Sequence, residues 1–287
     1  MSKRKRDRWP ELCELVAEDD GLPCRPAGAW TEHKLFRWNR YLEITTSAMA
    51  TNPKWSALVY VDLFAGPGVC KLKETKKRFP GSALLAAHAP KPFSKILVCE
   101  QKAKVAQALQ TRLANLVGDC ASVIVGDCNV KIQEVADQIA HGALTLAFID
   151  PEGLHIHFET LRILTKNRRV DLAILLPDGM DIVRNVETTY EKQADSKLDR
   201  FLGPNSDWRT QWQNLANRNP ENTCQLFADI YKSQLRKELG YSAFSDEIYK
   251  SGQTPIYRII YASKHELGQR FFEGISKIDS GGQKQLF

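Results

Sequence analysis

The 287-residue chain lacks the features that would assign it at once to a membrane or metal-binding class. No apolar run approaches the roughly 20 residues that a membrane-spanning helix needs. Its seven cysteines form no Cys-x-x-Cys pair and no Cys/His cluster at zinc spacing, and the N-terminal residues contain no signal-peptide core. We therefore expect a cytoplasmic protein with reduced thiols, no membrane partner and no metal site.

The chain also has little net charge once the N-terminus is set aside. The net charge is +6, but the bases among residues 3–8, set against Asp7, supply four of those six units. A basic tail of this kind is most often solvated, yet it can also contact phosphate groups. Nucleic acid is therefore a candidate partner, and residues 1–29 are predicted to be a basic, flexible N-terminal arm.

The most informative segment is an apolar strand that ends in a carboxylate and turns through two glycines. Leu58 to Val61 precede Asp62, and the sequence continues as Leu-Phe-Ala-Gly-Pro-Gly to Gly68. Glycines at the carboxyl end of a buried parallel strand let the backbone approach a ligand without interference from a Cβ atom. A dinucleotide site would need a third glycine, and Lys71 stands in its place. The sequence of this loop instead resembles the first cofactor-binding loop of class I methyltransferases.

Three further apolar runs end at an acid: residues 95–100 at Glu100, 121–127 at Asp127 and 144–150 at Asp150. An acid in this position is more often than not a helix N-cap. Repeated strand-to-helix units would nevertheless bring all of these carboxylates to one crevice. Further strands are predicted at 170–176, 241–250 and 255–262, the last two joined by a hairpin turn at 251–254.

These elements predict an α/β fold: a Rossmann-like doubly wound sheet of about seven strands with a C-terminal antiparallel hairpin. A class I methyltransferase has this layout. Residues 30–287 are predicted to form one domain that includes an N-terminal helix over 30–50 and a helical insertion at about 195–239.

A more specific resemblance covers residues 20 to about 265. It rests on several segments: Asp20-Gly21-Leu22-Pro23, residues 28–35, Tyr41-Leu42, the Asp62 loop, residues 81–84, residues 150–154 and residues 179–185. Together they resemble the three-Cys-motif partner protein family (TcmP). That family is named for the neighbour it accompanies, a radical-SAM-like protein with a three-cysteine motif. The resemblance implies this protein as a partner and S-adenosylmethionine as the cofactor.

The methyltransferase resemblance also implies roles for individual residues. At Gly66 and Gly68 the backbone would run close to the methionine portion of the cofactor. Phe64 stands where other members carry a first glycine, and Asp62 would lie near the ammonium group. Glu100 would accept from the ribose hydroxyls and Asp127 from the adenine amino group, because ionised carboxylates are acceptors only.

The same resemblance places the chemistry near the fourth strand. Asp150 would face the transferred methyl group, and His155 is a candidate general base. Anionic substrate groups are assigned to Lys71 and Lys73 after the glycine turn, and to Arg184 and Asn185 after the fifth strand.

One departure separates the chain from methyltransferases that act on flipped bases. Glu152 stands where the family pattern suggests an aromatic residue, so a stacking partner for a base is lacking.

The leading interpretation is a methyltransferase-like enzyme with an anionic or nucleic-acid-derived acceptor. The alternative is a Rossmann-like partner subunit that does not catalyse transfer. A dinucleotide oxidoreductase is disfavoured by the missing glycine and by the terminal hairpin.

Overall fold

The computed structural model describes residues 7–251, 254–268, 270 and 273. The strands are β1 Arg25–Ala27, β2 Leu58–Asp62, β3 Val69–Leu72, β4 Arg78–Pro80, β5 Lys95–Glu100, β6 Ala121–Val125, β7 Leu144–Ile149, β8 Arg169–Leu176, β9 Ala243–Ser251 and β10 Thr254–Ser263. The helices are α1 Trp9–Glu14, α2 Ala29–Met49, α3 Ser82–Ala87, α4 Ala103–Val117, α5 Cys128–Asp137, α6 Phe158–Thr165, α7 Val183–Asn185, α8 Lys197–Leu202, α9 Trp208–Gln213 and α10 Pro220–Leu239. A 3₁₀ turn covers Gly118–Cys120, and π-helical turns flank α7.

Seven strands form the main sheet in the order β6-β5-β2-β7-β8-β10-β9. The first five in this order are parallel, whereas β10 runs antiparallel to both β8 and β9. The predicted fold class and the C-terminal hairpin are confirmed. The central residues of the hairpin turn, 252 and 253, lie outside the described residues.

The core has two layers because side chains of a strand point alternately to opposite faces of the sheet. In β2, Val59 and Val61 pack with α5, α6 and α10, whereas Leu58 and Tyr60 pack with α2, α3 and α4. Helices therefore cover both faces of the sheet, as expected for buried parallel strands. No helix in the described part of the chain is both long and apolar enough to cross a membrane.

A smaller sheet includes part of the segment that the sequence analysis assigned to a flexible arm over residues 1–29. Strand β1 pairs with β3, which also pairs with β4, in a three-stranded sheet of its own. Trp9 and Leu12 of α1 are buried against the same core face as α2. Residues 7–29 are thus folded onto the domain, and residues 1–6 lie outside the described part. The helix predicted at 30–50 corresponds to α2, and the segment predicted as a helical insertion contains α8, α9 and α10.

Candidate active site

A cavity of about 560 Å³ opens at the carboxyl ends of the parallel strands. From the central strand β2 the chain passes first to β5 and β6 on one side and then to β7 and β8 on the other. Ligands of open α/β sheets bind at such a change of direction. The residues that line the cavity include Cys24, Arg25, Phe64, Gly66, Glu100, Lys102, Asp127, Asp150, Glu152, His155, His157, Lys197 and Arg200.

The two glycines of the turn have different tasks. Gly66 has a φ of +63° and lines the cavity, and a Cβ atom built on it would meet no heavy atom within 4 Å. Gly68 has a φ of +89°, and its Cβ would lie 2.9 Å from Cδ1 of Leu109 in α4. Of these two glycines, Gly66 lines the cavity and Gly68 does not. Gly68 lets the turn pack against α4, which differs from its predicted contact with the cofactor.

Glu100, at the end of β5, holds the turn and faces the cavity. Its Oε2 accepts a hydrogen bond from the backbone N–H of Gly66 at 3.0 Å, and its Oε1 accepts one from the N–H of Lys102 at 2.9 Å. Each carboxylate oxygen has a second lone pair. Glu100 can therefore support the loop and still accept from a ligand in the cavity.

Asp62 lies behind the turn and does not line the cavity. It is fully buried and accepts hydrogen bonds from the hydroxyls of Tyr60 and Ser82 and from the N–H of Phe64. Burial raises the pKa of Asp62 to about 7, and the hydrogen bond from Ser82 opposes that shift. The structure thus gives Asp62 a role in shaping the loop, while Phe64 reaches the cavity wall.

Asp127 caps helix α5 and also lines the cavity. Its carboxylate accepts from the N–H of Asn129 at 2.8 Å, which satisfies one free donor of the first turn. Asn129 in turn fixes the next loop: its amide donates to the carbonyl of His155 at 2.9 Å and accepts from the N–H of His157 at 2.9 Å. His155 is thereby held at the cavity with an exposed side chain.

Asp150, at the end of β7, is paired with a cation that the sequence analysis did not single out. Its Oδ2 lies 2.5 Å from Nζ of Lys34 in α2, and the side chains of the two residues are 7% and 0% exposed. Burial lowers the pKa of Lys34, although Asp150 acts in the opposite direction. Arg25 of β1 lies 3.9 Å from the same carboxylate oxygen. The Asp150 carboxylate is thus engaged by two cations.

The N-terminal segment forms one wall of the cavity and is fastened to the glycine turn. Arg112 of α4 donates two hydrogen bonds of 2.8 Å to the carboxylate of Asp20 and others to the carbonyls of Pro23 and Pro67. Asp20 also accepts from Arg78 at 2.9 Å. These contacts, led by Arg112, lower the pKa of Asp20. The segment that leads into Arg25 is therefore held beside the loop.

The predicted anion-binding residues are not part of the cavity wall. Lys71 lies in β3 of the small sheet, and Lys73 follows it on the surface. Arg184 is exposed, and the amide of Asn185 donates to the carboxylate of Asp181 at 2.9 Å. The positive charges at the cavity come from other residues: Arg25, Lys102, Lys197 and Arg200.

Comparison with known proteins supports the fold and no finer assignment. No family model matches the chain, and no curated protein matches it in sequence. Protein LPL1258 of Legionella pneumophila has a TM-score of 0.50 and 12% identity over 87% of this chain and 93% of its own.

Two methyltransferase structures are also similar. An O-methyltransferase from Bacillus cereus, crystallised with SAH, has a TM-score of 0.48 and 14% identity over 92% of this chain and 94% of its own. The O-methyltransferase TomG from Streptomyces achromogenes, crystallised with SAM, has a TM-score of 0.44 and 12% identity over 92% of this chain and all of its own. At such identities the likeness concerns the fold alone.

Proposed function

We propose that the protein is an S-adenosylmethionine-dependent methyltransferase whose acceptor is an anionic or nucleic-acid-derived molecule. One observation carries this proposal. The carboxylate of Glu100 is hydrogen-bonded to the N–H of Gly66 across the mouth of adjacent parallel strands, and both residues line the cavity. A glycine turn joined to an acid in this way offers a ligand both open backbone and an acceptor for hydroxyl groups.

The residues of the cavity fit the parts of this cofactor. Glu100 would accept from the ribose hydroxyls, and Asp127 would accept from the adenine amino group. Phe64 supplies an apolar surface beside them. When bound, the cofactor supplies an electrophilic methyl group on a cationic sulfur. The chain's main contribution is then alignment, since holding two reactants in a productive geometry removes much of the entropic barrier.

Proton transfer at the acceptor is assigned to His155 and not to Asp150. Asp150 remains ion-paired to Lys34 and is only 6% exposed, whereas His155 is exposed at the cavity wall. We therefore assign Asp150 an electrostatic and positioning role. The sequence left this proton to Asp150 or a nearby histidine, and the ion pair favours the histidine.

Calorimetric titration tests the cofactor assignment. S-Adenosylmethionine, S-adenosylhomocysteine and NAD are titrated against the wild type, Glu100→Ala and Asp127→Ala. The expected result is binding of the adenosyl compounds alone, with loss in both variants. Asp119→Ala is a matched control, because this exposed acid lies just before the amino end of β6, away from the cavity. Binding of NAD, or no binding by folded wild type, would contradict the assignment.

A second candidate is a partner subunit for a radical-SAM-like three-Cys-motif protein. The buried Lys34–Asp150 pair favours it, because the carboxylate at the transfer position is already neutralised. A labelled-methyl assay on RNA, DNA and small-molecule extracts separates the two. Cofactor binding with no transfer, together with co-purification of a three-Cys-motif protein, would favour the partner role. Transfer that depends on His155 would favour the enzyme.

A further inference from the structure

At the end of the cavity beside Asp150, the guanidinium of Arg25 has two counter-ions that differ in exposure, Asp150 and Glu152. Arg25, Asp150 and Glu152 all line this end. Arg25 lies 3.9 Å from the carboxylate of Asp150 and 3.5 Å from that of Glu152. These two contacts differ in how readily a ligand could replace them.

Asp150 is shared between Arg25 and Lys34. Its Oδ2 is 2.5 Å from the ammonium of Lys34, which is much closer than the 3.9 Å to Arg25. Since Lys34 is completely buried, this pair is shielded from competing solvent. One carboxylate thus serves two cations, and Glu152 supplies the second negative charge.

Glu152 is a replaceable counter-ion. Its side chain is 76% exposed, and an exposed ion pair of this length contributes little to stability. The Arg25 side chain is 26% exposed, so its guanidinium is accessible from the cavity. An anion that enters the cavity could take the place of Glu152 at small cost.

The position of Arg25 is fixed before any ligand arrives. Its backbone pairs in register with Cys70 in the small sheet, and Arg112 holds the preceding residues through Asp20 and the Pro23 carbonyl. A guanidinium offers two parallel N–H donors to a carboxylate or phosphate, so a preset Arg is suited to bind either group.

We propose that Arg25 binds an anionic group, a carboxylate or a phosphate, at the Asp150 end of the cavity, and that this group displaces Glu152. The inference rests on the proposed function, because it concerns the same cavity. Two sources of the anion share this chemistry: the carboxylate of the cofactor's own methionine portion and an anionic group of the methyl acceptor. The site replaces the one predicted at Lys71, Lys73, Arg184 and Asn185.

Binding measurements separate the sources. S-Adenosylhomocysteine and 5′-methylthioadenosine, which lacks the amino-acid portion, are titrated against the wild type, Arg25→Gln and Glu152→Gln. Inorganic phosphate is then titrated against each protein, both free and saturated with S-adenosylhomocysteine. Lys73→Gln is the matched control, since it removes a positive charge outside the cavity. Glu152→Gln alters an exposed side chain and leaves the fold intact.

If the cofactor supplies the anion, Arg25→Gln lowers the affinity for S-adenosylhomocysteine about tenfold or more and leaves the affinity for 5′-methylthioadenosine unchanged. If the acceptor supplies it, S-adenosylhomocysteine binding is unchanged, whereas phosphate binding to the saturated protein is lost in Arg25→Gln. In either case Glu152→Gln strengthens the same interaction severalfold, and Lys73→Gln does not change it.

The inference is overturned if Arg25→Gln changes neither ligand's affinity, or if Lys73→Gln has the same effect as Arg25→Gln. Failure of the wild type to bind S-adenosylhomocysteine would refute the proposed cofactor instead. Phosphate binding to the free protein would then still test Arg25 by itself.

Discussion

Removal of the ammonium of Lys34 is the most informative perturbation of the stability of the site. Lys34→Met keeps a long apolar side chain and leaves the buried carboxylate of Asp150 without its 2.5 Å partner. Breaking a buried ion pair at one side costs about 3–5 kcal/mol in free energy of unfolding. Arg25 lies 3.9 Å away and compensates in part, so we expect the lower end, about 3 kcal/mol. That loss corresponds to a change of about 150-fold in the folding equilibrium.

Urea unfolding at neutral pH measures this effect. The variant is expected to unfold at a lower urea concentration than the wild type, because the buried carboxylate has lost its close partner. Lys34→Met/Asp150→Leu is the control, since replacing both partners by apolar groups can be nearly neutral. A loss below about 1 kcal/mol, or a double variant less stable than Lys34→Met, would refute the reasoning.

Other perturbations test separate parts of the site. Burial raises the pKa of Asp62 from 3.8 to about 7, so ionisation of this group makes the folded state less stable as pH rises through that range. Asp62→Asn should therefore reduce the fall of the urea midpoint between pH 4 and pH 8. An equal fall in wild type and variant would contradict this role of Asp62. Both glycines have a positive φ, so either change to alanine should cost about 1–2 kcal/mol of backbone strain. Gly68→Ala should cost about 1–3 kcal/mol more because its Cβ meets Leu109, whereas Gly66→Ala should chiefly weaken S-adenosylhomocysteine binding. The reverse pattern in thermal unfolding and calorimetry would overturn the division of roles. Arg112→Gln should speed amide hydrogen exchange over residues 20–27, since it releases that segment from the glycine turn; unchanged exchange would show that other contacts hold it.

The main sheet was predictable from the sequence because each parallel strand is a mostly apolar run, and four of these runs end at an acid. The predicted strands at 58–62 and 95–100 coincide with β2 and β5, and the remaining five differ by one or two residues at their ends. The carboxylates of Glu100, Asp127 and Asp150 meet at one cavity for the same reason, since parallel strands place their carboxyl ends at one edge.

The basic residues of the site could not be predicted in this way. Arg25 belongs to a three-residue strand next to Pro26, and its partner in β3 is 45 positions further along the chain, at Cys70. Neither local periodicity nor strand propensity indicates such a pairing. Lysine is almost never fully buried without a partner, so the sequence alone gives no reason to place Lys34 in the core. The available signal was its place beside Leu35 and Phe36 in an otherwise buried stretch.

A crystal structure of the protein grown with S-adenosylhomocysteine tests the central claim most directly. The account predicts the adenosyl group in the cavity, with the ribose hydroxyls donating to Glu100 and the adenine amino group near Asp127. The amino-acid carboxylate is then placed either at Arg25 or away from it, which decides between the two sources of the anion. Density for the compound elsewhere on the protein, or a cavity that stays empty at saturating concentration, would contradict the account.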